Sequence, residues 1–314
     1  MSYPLSQDRT ARGAAPSAGR LAAVALWALL GLGAAGCAGG AEAGSGPQEA
    51  ETGTPGRLDP DPLVAVRAAA QNTAAAGSAV TSTELVMNSG GEEVTVTGEG
   101  EYDFERRLGD LTVVVPEGAS AIGGGEAAAG AGAQGASRTM AELFAPDALY
   151  MQGGADVPEG HWVRVNVLQL SDGNLISGGG TDPYTAAQVL LGVQEAELVG
   201  TETLGGVRVH HFKGVSDLAR AAEIADAPTS DALRQASLNL SSARIPFDVY
   251  LDDQGRMHKV VQRLAFAAAP AEDGQEPADT EVEVTTTTLL SEFGAPVDVA
   301  MPASDLIHEP GAVE

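Results

Sequence analysis

One cysteine is present in 314 residues, Cys37, and it stands close behind the chain's longest apolar run. A single thiol closes no intrachain disulfide, and metal sites draw on several ligands. What remains for it is the chemistry of the thiol itself. The histidines His210 and His211 are adjacent in a stretch of strand character, so their side chains point to opposite faces, which is poor geometry for a shared metal. Asp252 and Asp253 precede Gly255 and Arg256, a spacing that fits a tight hairpin turn. A calcium loop would need oxygens at alternating positions and a distal glutamate. No G-x-S-x-G, H-E-x-x-H or Walker sequence occurs. The sequence therefore predicts no enzyme, with no catalytic residue, no metal ligand and no cofactor.

The residues around Cys37 give the thiol a use. Arg9, Arg12 and Arg20 precede the apolar stretch Leu21 to Leu32, which is too short for the ~20 residues of a transmembrane helix and fits the core of a secretory signal. Ala34, Ala35 and Gly36 lead directly into the cysteine and resemble a bacterial lipobox. That reading makes residues 1–36 a lipoprotein signal peptide and Cys37 the lipid-attachment site. Acyl chains on a new N-terminus hold the chain stably to a membrane it does not cross. The expected location is the outer face of the cell membrane, and the expected partner is that membrane. Residues 37–61 are small, polar and acidic and read as a flexible tether, with an r.m.s. span of roughly 25 Å.

Charge narrows the partners further. The full chain carries −26, and removing the signal peptide takes away three arginines and one aspartate, leaving the remainder more negative still. Such a chain does not neutralise phosphates, so nucleic acid is excluded, and it is repelled by anionic headgroups. A monomer is expected. No cysteine remains beyond position 37, so stability has to come from a hydrophobic core.

The elements follow from hydrophobic period. Asp61 and Pro62 open a helix running through LVAVRAAAQNTAAA and ending at Gly77, after which the period changes from helical to two. Val94, Val96, Tyr102 and Phe104 alternate with polar residues, and LGDLTVVVP (108–116) is a second strand. Residues 117–135, mostly Gly and Ala, read as a mobile insertion. Strand character returns in SRTMAELFA, DALYMQ and HWVRVNVLQL (161–170), and Asp182-Pro183 starts another helix. GTETLGGVRVHHFKG is a hairpin turning at Gly205-Gly206. SDLARAAEIADA and TSDALRQASLNL read as helices with Ser and Thr starts. Ile245, Phe247, Val249 and Leu251 run up to the Asp252–Gly255 turn, with Val260, Leu264 and Phe266 returning. After an acidic loop, Val282 and Val284 open a last strand. The fold class is α+β, a curved antiparallel sheet with helices laid against one face.

Several of these segments in order, namely DALYMQ, GHWVRVNV, DPYTAAQVLLGVQEAELVGTETLGGVRVHHFKGVSDLA, IPFDVYLDDQGRMHKVV and TTTTLLSEFGAPVDVAMP, resemble the actinobacterial LppX and LprG type envelope lipoproteins, which have a LolA-like fold. The resemblance runs from about Ala79 to Pro302. It implies a single domain over 62–302, a half-open β-barrel with helices packed on the concave face, followed by a tail at 303–314. It also implies an apolar cavity that takes acyl chains of lipids or lipoglycans. Val94, Val96, Tyr102, Phe104, Phe247 and Val249 are the candidate lining residues. A chain only 4% aromatic, with a Gly/Ala insertion between strands, departs from that pattern, and the same six residues fit a filled core equally well. Two functions stay open: a carrier or receptor for a lipid or other apolar ligand, and a sensory or protein-interaction module with no ligand.

Overall fold

Local chemistry starts each helix. Asp61 accepts hydrogen bonds from the backbone N–H groups of Leu63 and Val64 at 2.9 and 3.3 Å, and Pro62 takes the first turn of α1 (Pro62–Ala74). Asp182 and Pro183 repeat the device for α2 (Pro183–Val189). The helices α3 (Leu218–Ile224) and α4 (Thr229–Asn239) complete the layer. This computed structural model describes residues 56–89, 92–116, 137–154, 157–176, 181–267 and 281–308. The segment read as a signal peptide, Cys37, most of the segment read as a tether, the Gly/Ala insertion and most of the acidic loop lie outside the described residues.

The strands are β1 (Ser78–Ser89), β2 (Glu92–Asp103), β3 (Leu108–Val115), β4 (Arg138–Ala145), β5 (Ala148–Gln152), β6 (Trp162–Asn166), β7 (Val193–Leu204), β8 (Val207–Asp217), β9 (Arg244–Leu251), β10 (Met257–Ala267), β11 (Glu281–Ser291) and β12 (Ile307–His308). Among the described residues they form one twelve-stranded sheet in the order β12-β6-β5-β4-β3-β2-β1-β11-β10-β9-β8-β7. The two ends of that order do not pair, so the curved sheet is unclosed. Alternation sets its faces: in β3, Leu111, Val113 and Val115 are buried while Asp110, Thr112 and Val114 face water. Gly205 and Gly206, at φ +57° and +85°, make the tight β7–β8 turn expected of a glycine pair.

The helices pack on the concave face, α1 against β7 and β10, α2 against β10 and α3 against β8. Their apolar sides and the inward side chains of the sheet make the main core. A second, smaller core lies elsewhere: Leu108, Leu143, Ala148, Tyr150 and Val299, with Trp162 and Ile307 packed against them. There the chain after β11 covers the outer face of β3 to β6, and the Arg106 guanidinium donates to the carbonyl of Val299 at 3.0 Å.

Four expectations change in detail. The sheet is mixed, because β12 arrives beside β6 after that crossing and pairs with it in parallel. The segment read as a tail from residue 303 thereby rejoins the sheet. The strand expected over 161–170 stops at Asn166, whose side chain accepts from the Leu168 N–H at 2.9 Å and turns 167–169 into a 3-10 helix. The cap of α3 is Asp217, which accepts from the Arg220 N–H, while Ser216 donates to the carbonyl of Val189 instead.

Candidate functional site

The concave floor holds all six candidate lining residues. Val96, Tyr102 and Phe104 come from β2 and the residue following it, Phe247 and Val249 from β9, and each is at most 4% exposed; Val94 is partly buried against the same core. Tyr102 and Phe104 touch, with ring centroids 4.9 Å apart. Three strands, β1, β11 and β10, separate the two groups, so they stand about 19 Å apart at opposite sides of the floor. They share one core and do not form one cluster.

What lies between them was not singled out from the sequence. Thr81 and Thr83 on β1, Thr286 and Thr288 on β11 and Gln262 on β10 are all buried to 2% exposure or less. Register makes them neighbours: Thr83 pairs with Thr288, and Gln262 with Thr286. The signal was available, because the alternation that turns Val284 inward continues through Thr286, Thr288 and Leu290.

The roof over this floor is rich in alanine. Ala65, Ala69 and Ala70 of α1, Ala186 and Ala187 of α2, Ala221 and Ala222 of α3, and Ala232 and Ala236 of α4 are buried. A few polar contacts pin roof to floor. Gln262 donates to the Ala186 carbonyl at 2.9 Å, and the Thr73 hydroxyl accepts from the Met257 N–H at 2.9 Å. The third pin is Asp182, the cap of α2, whose carboxylate accepts from the Tyr184 N–H at 3.0 Å, from the Thr185 hydroxyl at 2.7 Å and from the Tyr102 hydroxyl. Burial raises the Asp182 carboxyl above its ordinary value, against the pull of those hydrogen bonds. The Tyr102 hydroxyl is pushed well up by burial and then by the Asp182 charge. A void of about 20 Å³, roughly one water in size, opens beside this pin between Arg107, Asn174 and Tyr184.

The outer face carries ion pairs. The His211 ring N–H donates to the Asp248 carboxylate at 2.8 Å while the ring stacks on Tyr250 at 4.3 Å, Arg263 meets the same carboxylate at 2.9 Å, and Lys213 meets Glu197 at 2.7 Å. An open groove of about 420 Å³ runs among Lys213, Val215, Pro246 and Arg263, and its charged residues are paired with one another or, for Glu195, with Arg244. His210 turns to Asp253 at 2.9 Å, so the adjacent histidines serve different carboxylates. Among the described residues no group of three or more His, Cys, Asp or Glu could hold a metal ion. No described helix is long and apolar enough to cross a membrane.

No family model matches the chain. No curated protein matches it either. Among solved structures it is similar to LprF from Mycobacterium bovis, at 14% identity and a TM-score of 0.37, over 79% of this chain and 100% of that one. It is similar to the lipoprotein LppX from Mycobacterium tuberculosis, at 13% identity and a TM-score of 0.36, over 76% and 97%. A putative outer membrane lipoprotein-sorting protein domain from Vibrio parahaemolyticus follows at 11% identity and a TM-score of 0.29, over 76% and 94%. LppX belongs to the lipoprotein group that the sequence resemblance named.

Proposed function

We propose that the protein is a non-enzymatic carrier or receptor, anchored through a lipidated Cys37 to the outer face of the cell membrane, that takes a lipid or other apolar guest between sheet and helices. One observation carries the reading: an unclosed sheet is roofed by short helices in which nearly half of the buried residues are alanine. Alanine side chains interlock shallowly with the floor, so lifting the roof costs less packing than a roof of larger side chains throughout would. A guest acyl chain regains the apolar contact at about 25 cal/mol per Å². The acidic domain would stand off the headgroups at the end of its tether and sample guests from one or more membranes.

The second reading, a ligand-free interaction module, is favoured by the tight burial of the candidate lining residues, of which Val96 and Val249 are 0% exposed. Native mass spectrometry of the protein extracted from its own envelope separates the two. The carrier reading expects adducts of lipid mass beyond the covalent acyl chains. Protein recovered with no adduct, which then takes up no added fluorescent fatty acid, overturns it.

A further inference from the structure

The centre of the concave floor carries an anomaly of polarity. Thr81, Thr83 and Thr288 are 1, 2 and 1% exposed, and the hydroxyl oxygen of each is buried with no hydrogen-bond partner. They are neighbours: Thr83 pairs directly with Thr288 across β1 and β11, and Thr81 lies two residues along β1 on the same inward face. Buried hydroxyls are ordinarily satisfied, and three orphans on one patch ask for an explanation. Valine has nearly the same shape and would fill these positions without the unpaired group.

The surroundings of Thr83 sharpen the point. Gly98 of β2 is its cross-strand partner, and a Cβ at that position would stand 2.7 Å from the Thr83 hydroxyl and 3.0 Å from a Leu111 methyl. Glycine there keeps the hydroxyl clear of any side chain from β2, and the other groups near that point are the carbons of Leu111 and Val113. The groups that close on this point from β3 are thus carbons, and the Thr83 hydroxyl has no hydrogen-bond partner.

Resting on the carrier reading above, we infer that Thr81, Thr83 and Thr288 form a specificity patch for a guest whose apolar body contains a hydrogen-bond-accepting carbonyl, as in an acyl ester. In the closed, guest-free state the three hydroxyls are stripped of water and given nothing in return, which raises the free energy of that state. A guest ester brings the missing acceptor, and two ester carbonyls on adjacent carbons can meet two hydroxyls one strand apart. A plain hydrocarbon or ether chain fills the same space and leaves the hydroxyls unpaired. The patch therefore discriminates by linkage chemistry, while chain length is left to the apolar surroundings.

The test is a competition. The acylated full-length protein in non-ionic detergent is offered equal amounts of 1,2-dioleoylglycerol and its di-ether analogue, and native mass spectrometry reads the ratio of adducts. The expected result is a preference for the ester of about tenfold, the discrimination one recovered hydrogen bond supplies. Thr81→Val, Thr83→Val and Thr288→Val together bring the ratio near one while leaving the melting temperature at or above that of the parent. Thr288→Ser alone, which keeps a hydroxyl, retains the preference. Equal uptake of ester and ether by the parent overturns the patch and leaves the carrier standing, as when the hydroxyls hold only water. Uptake of neither probe overturns the carrier reading itself.

Discussion

Two aspartates, both buried and oppositely tuned, mark the difference between the two regions of this domain. Asp182 is 9% exposed at the rim of the concave side, and Asp252 is 4% exposed in the β9–β10 turn. Burial pushes both carboxyls up. At Asp182 the partners are hydroxyls and a helix N–H, all neutral, and the net displacement stays upward. At Asp252 the carboxylate accepts from His258 at 3.2 Å, from the N–H groups of Gln254 and Arg256 at 2.9 Å each, and from the Arg256 side chain at 2.7 Å. Those partners outweigh burial and bring it down to about 2. Asp182 is therefore held by neutral partners, whereas the turn is fastened by charge. The turn fastened in this way also anchors the start of the domain, where the Leu58 N–H donates to the Asp253 carbonyl at 2.9 Å.

Breaking the fastened region should have the largest effect. Asp252→Ala leaves Arg256, the nearly buried His258 and two backbone N–H groups without their acceptor, and should lower stability by about 3 kcal/mol near neutral pH in urea unfolding. The pH dependence has a definite sign. A carboxyl depressed on folding stabilises above its unfolded value, about 3.9, and that stabilisation is lost as pH falls through about 2. The gap between parent and variant should accordingly shrink between roughly pH 4 and pH 2. A gap of constant size across that range would mean that packing, and not charge, holds the turn.

The rim should answer with the opposite slope and a smaller size. Because the Asp182 carboxyl is raised on folding, its contribution is full below the unfolded value and is lost as pH rises through the raised one. Asp182→Asn carries no charge at any pH and keeps one acceptor for the α2 N–H. The variant should be about 1 kcal/mol less stable in acid, and the difference should narrow as pH climbs. A difference that widens with pH would show that the ionised carboxylate is the stabilising form, and the comparison with Asp252 would collapse.

How much of this was legible in the sequence follows from how far apart the partners lie. The Asp61 and Asp182 caps and the Gly205-Gly206 turn were readable because each acts on residues within a turn of itself. The inward threonines were not singled out, although alternation alone placed them. Threonine sits comfortably on either face of a strand, so residue type does not announce burial. The Asp182 to Tyr102 contact joins segments far apart in the chain and has no local signature. The same holds for the return of β12 to β6, where two residues carry too little pattern to be read as a strand. The candidate lining residues were individually recognisable as inward-facing, but their division into two groups became visible only with strand order, which puts β1, β11 and β10 between β2 and β9.

Charge on the outer face provides the weakest and most discriminating comparison with the turn. Arg263 contacts Asp248 at 2.9 Å, a separation close to that of Arg256 from Asp252, yet its side chain is 52% exposed against 27%. Water screens the exposed pair and side-chain freedom is lost in forming it, so similar geometry buys far less. His211 also remains on the Asp248 carboxylate when the arginine is removed. Arg263→Ala should therefore shift stability by no more than about 0.5 kcal/mol, and added salt should erase what difference there is. A loss approaching that of Asp252→Ala would place the outer face among the fastened regions. The groove beside Lys213 and Pro246 would then be a rigid feature of the sheet, and the distinction between the buried charged turn and the solvent-screened outer face would have to be redrawn around it.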